Sequence, residues 1–202
     1  STSSSACLDA DAGYYVPSTG SASQTACAAG TYQPSTGQTS CIDASAGYYV
    51  DTTAATSQTA CPAGTYTSGT GSTSSSDCVT TPAGYYSTSN SSAPTPCPVG
   101  TYQPSTGQSS CIVASAGYYV PTTAATAQTA CAAGTYQPST GQTSCTDASA
   151  GYYVDTTAAT SQTACAAGTY NSNTGSTSSS ACLDADAGYY VASTGSASQT
   201  TC

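Results

Sequence analysis

Cysteine spacing constrains this chain more than anything else in it. The twelve cysteines stand at positions 7, 27, 41, 61, 78, 97, 111, 131, 145, 165, 182 and 202, and the steps between them alternate long (19 or 20) and short (14 or 17). The stretch CAAGTYQPSTGQTSC from Cys27 to Cys41 returns unchanged from Cys131 to Cys145, and a near copy spans Cys97 to Cys111. Between these stretches lie segments built on AGYYV. Regular alternation with a period of 33–37 residues marks a tandem-repeat protein. The repeat units read as 1–41 (its first half partial), 42–78, 79–111, 112–145, 146–182 and a partial 183–202. A larger period of 104 carries Cys7, Cys41 and Cys78 onto Cys111, Cys145 and Cys182. Residues 1–27 recur almost unchanged as 176–202, so the chain reads as a window on a longer array.

The two halves of a unit superpose. Cys27-Ala-Ala-Gly30-Thr-Tyr32 aligns with Ala44-Ser-Ala-Gly47-Tyr-Tyr49, and Gln58 stands fourteen residues beyond Ala44, where the first half has Cys41. The underlying plan is C-x13-C-x2-C-x13-C-x2, with every second cystine replaced by an Ala/Gln pair; Gln24, Gln128, Gln162 and Gln199 are the equivalents of Gln58. A rival alignment places Cys61 itself at the end of the AGYYV half. Two pairings follow. In one, each GTY half closes on itself, joining Cys27–Cys41, Cys61–Cys78, Cys97–Cys111, Cys131–Cys145 and Cys165–Cys182 and leaving Cys7 and Cys202 over. In the other, the bridges cross the long gaps and none is left over.

Regular cysteines without histidine and without a CxxC pair point to disulfides formed in an oxidising compartment rather than to zinc sites. They are needed. Leu occurs only at Leu8 and Leu183 and Ile only at Ile42 and Ile112, with no Met, Phe or Trp, so a conventional core is out of reach. Closing a loop of about 15 residues contributes about 3 kcal/mol on the chain-entropy model. Gly and Pro punctuate every unit, and Pro-Ser-Thr-Gly reads as a turn between short strands. The expected fold class is all-β, small and disulfide-rich, with tandem short-strand repeats stacked into an elongated rod. All seventeen tyrosines lie in five GTY and six YY motifs, where they are expected to substitute for a core; an aromatic binding surface is the alternative.

Cys-x2-Gly-x-Tyr-x8-Cys, seen at Cys27, Cys97 and Cys131, resembles the first cysteine-rich module of tumour necrosis factor receptors. It is equally similar to the ephrin-receptor-like cysteine-rich repeats. The resemblance implies a small elongated all-β module stacked into a rod, with the two cysteines of each module paired to each other. This chain departs in having fewer cysteines per unit and loops of Ser, Thr and Ala.

Charge and residue types narrow the function. The net charge is −9 with no Lys, Arg or His, which excludes nucleic-acid and anionic-membrane partners. No apolar span is long enough to insert in a membrane. Nucleophilic catalysis lacks a base, and no cofactor motif is present, so an enzyme is not expected. Asp9 and Asp11, repeated as Asp184 and Asp186, resemble the start of a calcium loop without its downstream acid, and are weak metal candidates. Asn90-Ser91-Ser92 is an N-glycan acceptor sequence. Ser/Thr tracts offer O-linked sites: Thr52, Thr53 and Thr56; Ser74, Ser75 and Ser76; Ser178, Ser179 and Ser180. These features favour an extracellular structural protein, self-associating into a filament, fibril or surface appendage and carrying covalent glycans. The alternative is a ligand-binding or adhesin-stalk ectodomain of a receptor-like surface protein.

Overall fold

The described hairpins begin at a Cys/Ala-x-x-Gly turn, except one that opens at Thr81-Pro-Ala-Gly84. The computed structural model describes residues 9–18, 21 and 23–202; Cys7 lies outside them. In the turn opening the hairpin at Cys27, the Thr31 N–H donates to the Ala28 carbonyl at 3.0 Å, and its hydroxyl donates to the same oxygen at 2.8 Å. Gly30, third in that turn, has φ +87°, as a type II turn demands. Two strand residues follow, then a loop, then two returning residues in antiparallel register. Thr31–Tyr32 pairs with Ile42–Asp43, and Tyr48–Tyr49 with Thr59–Ala60. The next turn closes the hairpin behind it, because the Ala44 N–H donates to the Gly30 carbonyl and the Cys61 N–H to that of Gly47. The architecture is therefore nearly all-β: two-stranded hairpins in tandem with five disulfides.

Two-residue strands cannot hold themselves together, so the half-units hold one another. The turn glycine donates its N–H to the carbonyl of the residue after the second strand position in the following half-unit. The chain divides into two compact units, one up to Thr95 with Ser105–Ser110, the other Pro96–Pro104 with Cys111–Cys202. In the first, Gly13 donates to Gln33, Gly30 to Val50, Gly47 to Thr67 and Gly64 to Ser87, all at 2.8 Å. In the second, Gly100 donates to Val120, Gly117 to Gln137, Gly134 to Val154, Gly151 to Asn171 and Gly168 to Val191. A second ladder runs from loop to turn, as in Ala54 N–H to the Cys27 carbonyl and Ala158 N–H to that of Cys131, both at 2.8 Å. Within each unit, these turn and loop N–H groups that the short strands leave unused are thus satisfied by a neighbouring half-unit.

Burial falls on small residues, which corrects the expectation that tyrosine forms the core. The tyrosines of the strands are half-buried, and Tyr189 and Tyr190 are exposed. The buried positions form two columns. One is the opening residue of each half-unit, alternating Ala10, Cys27, Ala44, Cys61 in the first unit and Cys97, Ala114, Cys131, Ala148, Cys165 in the second. The other is the residue after the second strand position: Val50, Val120 and Val154 in the halves without a cystine, and Gln33, Gln103, Gln137 and Asn171 in halves with one. The buried amides are paired, for example Gln137 Nε2 to the Ser144 carbonyl at 2.8 Å and Asn171 Nδ2 to that of Tyr152 at 3.0 Å. Between successive hydrogen-bonded turns the columns hold Ala, Cys and Val, small hydroxyl residues and the paired amides of Gln and Asn.

The loops of Cys61–Cys78 and Cys165–Cys182 are three residues longer than the others, and the extra residues form the 3-10 turns Ser75–Asp77 and Ser179–Ala181. Ser74 caps the first, and the Asp77 carboxylate returns to the Ser74 N–H in a capping box.

One half-unit breaks both columns. Thr81 stands where its peers have Ala or Cys, Ser87 where they have Val, and Pro94 where they have Gln. Thr81 Oγ1 and Ser87 Oγ are buried without a hydrogen-bond partner, and an unmatched buried hydroxyl costs about 1–3 kcal/mol. Thr81→Ala and Ser87→Val should therefore each raise unfolding free energy by about 1–2 kcal/mol, read from urea denaturation. Loss of stability in both variants would show that these hydroxyls are satisfied in solution.

The loop residue that feeds the second ladder takes a left-handed conformation: φ +57° at Ala54, +58° at Asn90, +56° at Ala124 and Ala158, and glycine at the others, such as Gly71 and Gly141. For alanine this conformation costs about 1 kcal/mol relative to glycine. Ala124→Gly should stabilise by about that amount; a lower urea midpoint would mean that the lost methyl packing outweighs the relieved strain.

Candidate functional surface

The disulfides follow the short-loop pairing: Cys27–Cys41, Cys61–Cys78, Cys97–Cys111, Cys131–Cys145 and Cys165–Cys182, with Cα–Cα distances of 5.6–5.8 Å. The first cysteine of each pair is buried in its column and the second is half-buried. Cys202 is a free, exposed thiol. Every bridge lies within one half-unit, so the bridges rigidify hairpins, and hydrogen bonds, chiefly the backbone ladders, join one hairpin to the next.

The half-units without a cystine have a polar substitute. Gln58 Oε1 accepts from the Ser45 N–H at 2.7 Å, across thirteen residues and at the end of the loop where the other halves place their second cysteine. Gln128 and Gln162 do the same to Ser115 and Ser149. Gln24 and Gln199 go further: each accepts from the N–H of Asp11 or Asp186 and donates its amide to that residue's carboxylate, at 2.8 and 2.6 Å. The Ala/Gln pair read from the spacing is thus a hydrogen-bonded clasp in the place of a cystine.

These clasps use two of the four carboxylates considered for calcium. Asp11 and Asp186 face glutamine amides, which are donors, and Asp9 and Asp184 are exposed. Among the described residues, no group of three or more His, Cys, Asp or Glu is placed to hold a metal ion. Asn90 is exposed at its loop tip, donating its N–H to the Cys61 carbonyl and its Nδ2 to Tyr48 Oη at 2.8 Å. Thr52, Thr53 and Thr56 are exposed on one loop. Ser75, Ser76, Ser179 and Ser180 are exposed, whereas Ser74 and Ser178 are half-buried and cap the 3-10 turns, accepting from Ser76 N–H and Ser180 N–H at 3.1 Å.

Two features of this surface escaped the sequence reading. The left-handed loop positions gave no signal, because alanine holds several of them. The exposure of Ile42, Val79, Ile112 and Leu183 was also missed, since large aliphatics in a poor composition suggest a core. The signal was there in their position, directly after the second cysteine of a pair.

Fold and surface together define a class: a tandem array of disulfide-closed hairpin modules. The chain matches the family described as tyrosine-protein kinase ephrin type A/B receptor-like at residues 13–61, 84–131 and 117–165, more than half of its length. It belongs to that family, whose repeats are cysteine-rich, non-catalytic ectodomain modules. No curated protein matches it. Among the described residues, no helix is long and apolar enough to cross a membrane.

Proposed function

We propose that this chain is a structural segment of an extracellular filament or surface appendage, a tandem array of stapled hairpins that self-associates and bears covalent glycans. The observation that carries this reading is the pair of backbone ladders repeated from each half-unit to the next within both units. Such a device propagates without limit, since each hairpin presents the same donors and acceptors to its successor. Side-chain chemistry is uniform from repeat to repeat, which suits packing more than selective recognition. The hydroxyl tracts Thr52–Thr56 and Ser75–Ser76 and the acceptor Asn90 are the attachment points in this reading. A sparsely charged array needs such a hydrophilic coat to stay dispersed until it assembles.

Electron microscopy of the concentrated secreted protein tests this reading directly. Uniform fibres, with an intact mass above the 19.6 kDa of the bare chain, are the expected result. Unmodified protein that stays dispersed at every concentration and salt would overturn it. The family match favours a second reading, a stalk or ligand-binding ectodomain. In that case the protein would remain monomeric and take a soluble partner in a saturable way.

A further inference from the structure

The described residues contain one Leu and two Ile, and all three stand on the surface. Leu183 is 54% exposed, Ile42 44% and Ile112 44%, and Val79 at the equivalent place is 52% exposed. Each directly follows the second cysteine of a disulfide and lies in register opposite a half-buried tyrosine: Ile42 opposite Tyr32, Val79 opposite Tyr66, Ile112 opposite Tyr102 and Leu183 opposite Tyr170. The remaining unit has Thr146 there, opposite Tyr136. Folding does not require large aliphatics at these places, because the buried columns are built of Ala, Cys, Val and paired amides. A chain so short of large apolar side chains presents them to solvent repeatedly at this position, with Val99 and Val113 exposed besides.

We infer that this position is the lateral contact through which a second copy of the chain associates. The inference rests on the filament reading above and says where its contact lies. Two observations select a second copy as the occupant. The contact points recur once per repeat unit, every second half-unit, and a second copy carries the same period by construction. One half-exposed aliphatic buries far less than the roughly 800 Å² per partner of a stable interface, so a single point cannot hold. Equal points add by avidity within each unit, Ile42 with Val79 in the first and Ile112 with Leu183 in the second, and only a partner of matching period engages them together. Asp43 and Asp184 adjoin Ile42 and Leu183, and the chain has no cation, so two copies repel at low ionic strength. Salt should promote the contact.

Sedimentation velocity and electron microscopy of the full chain test this, over a concentration series in low and high sodium chloride. Ile42→Ser/Val79→Ser/Ile112→Ser/Leu183→Ser should raise the concentration at which assembly begins by tenfold or more. Thr146→Ile, which completes the series, should lower it severalfold; as a gain of association, that result does not depend on any loss of folding. Circular dichroism and non-reducing migration check that the serine variant keeps its hairpins and bridges. If wild type and serine variant assemble at the same concentration, or Thr146→Ile fails to lower the threshold, the contact lies elsewhere and the filament reading survives. A wild type that never assembles removes the filament reading, and this inference with it.

Discussion

Gly117→Ala should be among the most damaging single substitutions in the molecule, costing about 2–5 kcal/mol. Two effects combine. Gly117 sits at φ +83°, where an L side chain is strained by about 1–2 kcal/mol. A Cβ at Gly117 would also fall inside the van der Waals sphere of the Ala158 carbonyl oxygen, two half-units further along. That oxygen is backbone and cannot rotate aside, so the stack must open locally, typically at a cost of 1–3 kcal/mol. Gly71→Ala separates the two effects, because Gly71 has φ +71° with nothing within 4 Å of its Cβ position, and strain of about 1–2 kcal/mol is all that remains. Gly69→Ala, with open space and no positive φ, should be neutral or slightly stabilising. Urea denaturation of the three variants should rank them in that order. Equal effects at Gly117 and Gly71 would show that contact between alternate half-units contributes nothing.

Removing one disulfide should come next. Cys131→Ala/Cys145→Ser opens the 14-residue separation between them and should lower stability by about 3 kcal/mol through the entropy returned to the unfolded chain. Alanine suits position 131, since Ala114 and Ala148 fill the same column at 0% exposure. The companion variant is more informative. Cys131→Ala/Cys145→Gln converts a disulfide half-unit into the clasped kind, with the new amide oxygen placed to accept from the Ala132 N–H. It should recover about 1 kcal/mol of the loss. Equal stability of the serine and glutamine versions would mean that the clasp at Gln58, Gln128 and Gln162 is incidental to the fold.

The two kinds of half-unit differ in what they need. A disulfide half tolerates a buried amide such as Gln137 because its loop supplies the Ser144 carbonyl. A clasped half buries valine instead and uses its glutamine at the loop end. The half-unit at Thr81–Pro94 has neither bridge nor clasp and carries two unmatched hydroxyls, which makes it the least secured hairpin among the described residues. Asn90, the N-glycan acceptor, lies on this same hairpin.

The spacing of Cys, Ala and Gln was enough to read the period, the equivalence of the two halves and the Ala/Gln pair in the place of a cystine, because these depend on contacts within one hairpin. A loop that must close after fourteen residues leaves its mark at both ends, as at Cys27 and Cys41 or Ala44 and Gln58. Burial could not be read in the same way. Tyrosine recurs as regularly as cysteine, yet it flanks the stack while Ala44 and Val50 fill it, since the distance between successive turns is fixed by the Gly30-to-Val50 hydrogen bond and its counterparts. The demand for glycine at position 117 comes from a carbonyl forty-one residues away, and Ile42 and Ile112 stay on the surface at strand positions opposite Tyr32 and Tyr102, outside the two buried columns. Those are properties of neighbouring half-units in space, and only the tertiary structure decides them.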